Sequence, residues 1–343
     1  MRKLLLIFTF LVVLTLPVSA LELTAPEVPG VAPSEPASFF EDLLEILRDA
    51  LENFRPDLRE AGAACVAAIG AVMALSILSS LQGKTRGTAE LAGAVLVAAV
   101  LLEPAHSLVS LGVDTVAELS EYEKLLLPVL TAALAAQGGI NASAALYAGT
   151  AAFNAVLSSL VSRVLAPMLY VYLALAVAHG AVGDSLLKKL RDFVKSTVTW
   201  GLKTILYVYT GYISITGVVS GTTDASLLKA AKLTISGAVP VVGSILSDAS
   251  EAVLAGAAVV KNAAGIYGLL AIISMWVGPF LRIAAHYLMI KAAGMVCGVF
   301  GVGSVGGVIE DFASAMGLLL AMTGAVCLML VISTVCFLKG TAV

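Results

Sequence analysis

The sequence predicts an all-α, polytopic integral membrane protein of about 6–8 transmembrane helices, some of them broken or re-entrant. Three observations carry that prediction. Hydrophobic residues make up 59% of the chain and charged residues only 13%, whereas a soluble domain carries about 25% charged residues. Mean hydropathy is +1.01. Apolar runs long enough to cross a bilayer recur from Ala61 to Leu338, with short polar or basic breaks between them. One such run, 236–265, is interrupted by Pro240, Gly243, Asp248, Glu251, Lys261 and Asn262. Charge at bilayer depth is expensive and normally faces protein or a water-filled path. Those six residues are therefore the candidate polar path, or broken-helix site, of the chain.

In chain order, three regions follow. Residues 1–20 have the plan of a secretory signal: Arg2 and Lys3, a short apolar run Leu4–Leu16, then Val18-Ser19-Ala20 as a small-residue cleavage site. Residues 21–59 form an extracytoplasmic segment. Pro26, Pro29, Pro33 and Pro36 make its start an extended linker. Ser38 and Glu41 then form a capping box for an amphipathic helix, with Phe39, Leu43, Leu47, Leu51 and Phe54 at helical spacing. Residues 60–343 are the membrane domain.

Within that domain Ala61–Leu81 spans, and Lys84 and Arg86 mark the cytoplasmic side. Leu91–Val113 returns outward, past Glu103-Pro104 and His106. Asp114, Glu118, Glu121 and Glu123 read as one acidic patch on the outside. Leu125–Ala136, bounded by Pro128 and Gln137-Gly138-Gly139, is too short to cross and reads as a re-entrant or tilted segment. Ala142–Gly180 has room for two elements, with Arg163 and Pro167 between them. Lys188, Lys189, Arg191, Lys195 and Lys203 make 186–203 the most basic stretch, which belongs at the cytoplasmic face. An odd number of crossings, one or three, must then separate Glu123 from Leu186. Ile205–Val219 leads outward to the interrupted segment. Ala263–Leu281 spans and stops at Arg282, with a continuation to Ile290 and Lys291. Gly294 with Gly298, and Gly303 with Gly307, are G-x-x-x-G spacings suited to close helix packing in lipid. Phe312–Leu338 is the last span.

Other chemistry is thinly represented. Cys65, Cys297, Cys327 and Cys336 lie in apolar runs with no C-x-x-C pair, and His106, His179 and His286 are scattered. No metal site, cofactor or catalytic residue is expected. Gly301–Gly306 fits G-x-G-x-x-G, but a dinucleotide fingerprint has meaning only between the strand and helix of a βαβ unit. There is no P-loop and no G-x-S-x-G elbow. No basic stripe supports nucleic-acid binding. The chain reads as a non-enzyme.

The runs Lys232–Glu251, with Val239-Pro240-Val241-Val242-Gly243 at its centre, Lys261–Gly268, and Leu127–Gly139 resemble the stage III sporulation protein AE family. That resemblance implies a multi-pass subunit in the mother-cell membrane surrounding the forespore. It implies a place in the channel or secretion complex needed for endospore development after engulfment. The partners it implies are the other membrane proteins of the stage III sporulation operon, a cytoplasmic secretion-type ATPase, ring-forming proteins of the intermembrane space, and membrane lipid. An alternative is a self-contained secondary transporter, whose sites sit at discontinuous helices. Pro-Gly interruptions at Leu127–Gly139 and Val239–Gly243, one in each half, suit that reading.

Overall fold

A computed structural model describes residues 39–81, 86–137, 139–238, 243–299 and 303–339. The signal, the Pro-rich linker, Ser38, Lys84 and Pro240 lie outside the described residues. What is described is helical throughout, with no strand among the described residues. The helices are α1 (Phe39–Leu81), α2 (Arg86–Ala136), α3 (Ile140–Leu160), α4 (Ala166–Val182), α5 (Ser185–Ala238), α6 (Gly243–Val299) and α7 (Gly303–Lys339). A π-helical turn, Val161–Leu165, fuses α3 to α4.

Among the described residues, five stretches are long and apolar enough to cross a membrane: Glu41–Ile77, Leu91–Ala136, Ile140–Val182, Lys261–Gly298 and Val305–Leu338. The protein is thus an all-α, multi-pass membrane protein. Up to Leu338, α7 is apolar apart from Glu310, Asp311 and a few hydroxyl side chains, and it touches every other helix, as a mostly buried helix should. Phe312, Met316, Leu319, Met322, Val326 and Phe337 along it are fully enclosed.

Contacts fix the topology as up-and-down. Leu75 of α1 meets Gly93 of α2, and Gly93 also meets Val305 at the start of α7. Farther along both helices Gly112 meets Leu319, so α2 and α7 run the same way. Gly265 of α6 meets Leu338 at the end of α7, whereas Gly294 meets Ile309 near its beginning, so α6 runs opposite. α3–α4 descends against α5: Thr150 faces Tyr209 and Tyr172 faces the Arg191 pair. One end of the bundle therefore gathers the ends of α1 and α6, the starts of α2 and α7, and the α4–α5 turn. The other gathers the end of α2, the start of α3 and the end of α7.

Four local expectations change. Leu125–Ala136 is not a separate re-entrant element but the last turns of α2, which passes through both Pro104 and Pro128. Proline in a spanning helix is tolerated where neighbours and Ser/Thr side chains satisfy the disturbed backbone. Here Thr131 Oγ1 donates to Leu127 O at 2.6 Å, and Leu126, Leu127, Leu130 and Leu134 are buried. Ala142–Gly180 holds two helices, α3 and α4, with Arg163 between them as expected, but they are joined end to end into one rod. The π turn absorbs the irregularity at Arg163: Ala166 N–H reaches back to Val161 O, and Pro167 follows immediately, near the start of the next helix. Between Glu123 and Leu186 there is accordingly one crossing. Arg282 ends no helix, because its charge is met by Asp57 and Glu60 of α1, at 3.6 and 2.9 Å. The amphipathic helix of the N-terminal segment continues without a break through Pro56 into Ala61–Leu81.

Gly183 is the one described residue with positive φ, at 74°. It caps α4, its N–H donating to His179 O at 2.7 Å. Asp184 then caps α5 by accepting from Leu186 N–H at 2.8 Å. This two-residue turn aims the basic start of α5 back against the bundle.

Candidate functional site

The predicted polar path is only partly visible. Pro240 lies outside the described residues. Gly243 opens α6, and Asp248 and Glu251 lie on its first turns, with their side chains outside the described set. Lys261 is buried, whereas Asn262, the next residue, is exposed. Gly265 abuts Leu338, next to the end of α7. The arm of α6 before Gly265 is roughly 30 Å long at about 1.5 Å per residue. Of the paired glycines, Gly294 packs closely on Glu310, Gly298 and Gly307 face open space, and Gly303 opens α7. The tightest described helix approaches fall elsewhere, at Gly149 against the Tyr212 ring and Gly265 against Leu338.

Two polar clusters inside the bundle stand out. At the end that carries the α4–α5 turn, Asp311 of α7 accepts from Tyr172 of α4 at 3.1 Å and pairs with Arg191 of α5 at 2.5 Å. Arg191 also binds Asp192, at 2.8 and 3.1 Å. Burial pulls the Arg191 guanidinium down, but the Asp192 and Asp311 carboxylates more than compensate and hold it above its ordinary value. Lys195 donates to Ser314 one turn farther on. The pair closes one side of a cavity of ≈ 250 Å³ that His179, Lys188 and Gly307 also line. The Arg191 and Asp311 charges are matched to each other, so the pair reads as a structural clasp between α4, α5 and α7.

The second cluster lies about 18 residues farther along α5, roughly 27 Å from Arg191. It joins α2, α3, α5 and α7. Tyr209 and Thr150 hydroxyls lie 3.4 Å apart, and Ser333 donates to Thr150 at 3.2 Å. Asn154 Nδ2 donates to Ser120 O at 3.4 Å. Beside Asn154 sits Glu123, only 2% exposed. Neither Glu123 oxygen has a hydrogen-bond partner, nor has Asn154 Oδ1 or the neighbouring Tyr122 hydroxyl.

Glu123 corrects the expected acidic patch. Asp114, Glu118 and Glu121 are exposed, and Glu123 is enclosed. The first three are spaced i, i+4, i+7 and share one helix face; Glu123 is two residues past Glu121 and points the other way. Helical phase carries that signal in the sequence, and reading the four acids as a linear group hides it. Asn154 and Tyr209 have no such signal, since a single polar residue in an apolar run does not reveal its partners. Among the described residues, no three His, Cys, Asp or Glu side chains converge.

The chain matches the profile of the stage III sporulation protein AE family over residues 42–340. A curated relative, the stage III sporulation protein AE of Bacillus subtilis (strain 168), is 22% identical over 200 residues. The match covers 58% of this chain and 50% of that protein, so the matched chain spans about half the relative's length. No solved structure matches. The family match takes in nearly all of the described bundle, α1 to α7: the chain belongs to the stage III sporulation protein AE family, and its role lies in sporulation.

Proposed function

We propose that this protein is a membrane subunit of the channel or secretion complex that joins mother cell and forespore and is required for endospore development after engulfment. The observation that carries the reading is the family match across 42–340. The proposed setting is the mother-cell membrane around the forespore. The proposed partners are the other membrane proteins of the stage III sporulation operon, a cytoplasmic secretion-type ATPase and ring-forming proteins of the intermembrane space.

The bundle supports an orientation for that setting. Lys188, Lys189, Arg191 and Lys195 cluster at the start of α5, and positive charge favours the cytoplasmic side. About 20 residues of helix cross the hydrocarbon, and the candidate spans run from 34 to 46 residues. With the basic end at the cytoplasmic interface, the surplus helix stands on the far side, where intermembrane partners would meet it. The α6 arm carrying Gly243, Asp248 and Glu251 belongs to that surplus, and Lys261 and Asn262 sit at its base. These five residues, together with Pro240 outside the described residues, remain the proposed polar path.

Leucine at both Asp248 and Glu251 should reduce spore yield after engulfment while the protein stays in the membrane fraction. Wild-type spore yield from the double variant removes the polar path. Correct localisation of the neighbouring operon products, scored in the same strain, separates a conduit from an assembly anchor.

The secondary-transporter reading has one observation in its favour, the buried and incompletely bonded cluster around Glu123. Purified protein in liposomes that moves neither ions nor metabolites counts against it.

A further inference from the structure

A carboxylate enclosed in an apolar bundle needs a counter-charge or a full set of donors, because isolated burial of the ionised form is very costly. Glu123 has neither. Its two oxygens are unpartnered. The groups that face it are few and none is a cation. α3 supplies the Asn154 amide and, beyond it, Thr150. α5 supplies Tyr209, which lies within reach of the Glu123 charge, and α7 supplies Ser333 and Cys336 beside Tyr209. On its own helix Tyr122 packs toward Tyr267 of α6. The nearest lysine in sequence, Lys124, is on the outer face, paired with Glu121 at 2.6 Å. Lys261, buried on α6, forms no salt bridge with Glu123.

What the cluster lacks and what it has left over are complementary. Asn154 uses one of its two Nδ2–H donors on Ser120 O, and its Oδ1 is an enclosed acceptor with no donor. A carboxylic acid has one donor, its O–H, and needs one acceptor. We infer that Glu123 is a proton-binding site of the bundle: it is held as a neutral acid, its O–H donating to Asn154 Oδ1, with the proton taken from and returned to water at the non-cytoplasmic end. The hydroxyls of Tyr209, Thr150 and Ser333, 3.2–3.4 Å apart, form the adjoining polar seam between α3, α5 and α7. Roughly 27 Å along α5 separates this site from Arg191, about one hydrocarbon thickness from the basic end. The inference does not depend on the sporulation-complex reading.

The test uses the intact protein in lipid nanodiscs near neutral pH. A hydrophobic carbodiimide reacts with protonated, enclosed carboxyls, and mass spectrometry maps the adduct. Labelling at Glu123, lost in Glu123→Gln, together with a protonated-carboxyl infrared band that disappears in the same variant, is the expected result. Asn154→Leu, which removes the acceptor, should shift that band. Three results overturn the inference. One is an unlabelled Glu123 in the wild-type protein, with no protonated-carboxyl band. Another is labelling that sodium ions suppress, which makes the site a sodium site. The last is a band unchanged by Glu123→Gln. The wild-type measurement needs no variant, so poor folding of Glu123→Gln leaves the test intact. Failure here leaves spore yield, the readout for the complex, untouched.

Discussion

The Arg191–Asp311 cluster and the Glu123–Asn154 cluster both bring charge into an apolar bundle, and they do so on opposite terms. Arg191 and Asp311 neutralise each other, and Tyr172 and Asp192 take up the remaining valences. Glu123 is more deeply enclosed, yet four oxygens of its cluster, two of its own, one of Asn154 and the Tyr122 hydroxyl, have no partner. The difference teaches that depth alone does not mark a site. A matched pair holds helices in register, whereas a buried group with unused valences keeps a place for something that comes and goes, here a proton.

The largest expected effect breaks the matched cluster. Asp311→Ala leaves Arg191 with Asp192 as its one remaining counter-ion and Tyr172 without its acceptor, a change of about 3 kcal/mol. Heat denaturation in detergent should show a clear loss of stability. Arg191→Leu combined with Asp311→Leu should recover most of it, because an apolar replacement of both partners is often neutral. A double variant as unstable as Asp311→Ala denies that the two charges act as a pair.

Next comes the packing beside the unmatched cluster. The Tyr212 ring lies flat against Gly149, and Tyr212 donates to Ala145 O at 2.8 Å. Gly149→Leu forces that ring away, next to Thr150 and Tyr209, at about 2 kcal/mol. Adding Tyr212→Ala should relieve part of the loss, since the overpacked atoms are then gone. No relief means that the close approach of α3 and α5 is not set at Gly149.

A smaller effect sharpens the comparison directly. Glu123→Gln keeps shape and removes the ionisable group. If Glu123 already stands neutral, stability should change by less than about 1 kcal/mol, well below the Asp311→Ala loss. A Gln variant as damaged as Asp311→Ala implies an ionised, partnered Glu123 and erases the contrast between the clusters.

Much of this architecture was legible in the sequence. The spans beginning at Ala61 and Leu91, the last span, the basic start of α5 and the all-α class follow from apolar run length and charge placement, both local properties. Pro128 and Arg282 were misleading because each is locally unfavourable in a helix, whereas Arg163 does mark the joint between α3 and α4. What kept those helices whole, and α3 and α4 in one rod, is tertiary or fine backbone detail: buried leucines and Thr131 around Pro128, a π turn ahead of Pro167, and two carboxylates of α1 on Arg282. The site itself was legible only through helical phase, which separates Glu123 from Asp114, Glu118 and Glu121. Its partners on α3, α5 and α7 are 27 to 213 residues away, and no periodicity links them.

The smallest effect concerns the residues flanking Glu123. Glu121 and Lys124 form a salt bridge of 2.6 Å with side chains 71% and 59% exposed. An exposed i, i+3 pair contributes at most about 0.5 kcal/mol and weakens with salt. Lys124→Ala should therefore leave the denaturation temperature almost unchanged. A cysteine at 121 should react with a membrane-impermeant maleimide, and one at 123 should not. The two positions are neighbours in sequence, carry the same side-chain type and differ only in which face of α2 they occupy. Equal reactivity at both would turn Glu123 toward water, where its missing partners need no proton, and the contrast with Arg191–Asp311 would reduce to one of exposure.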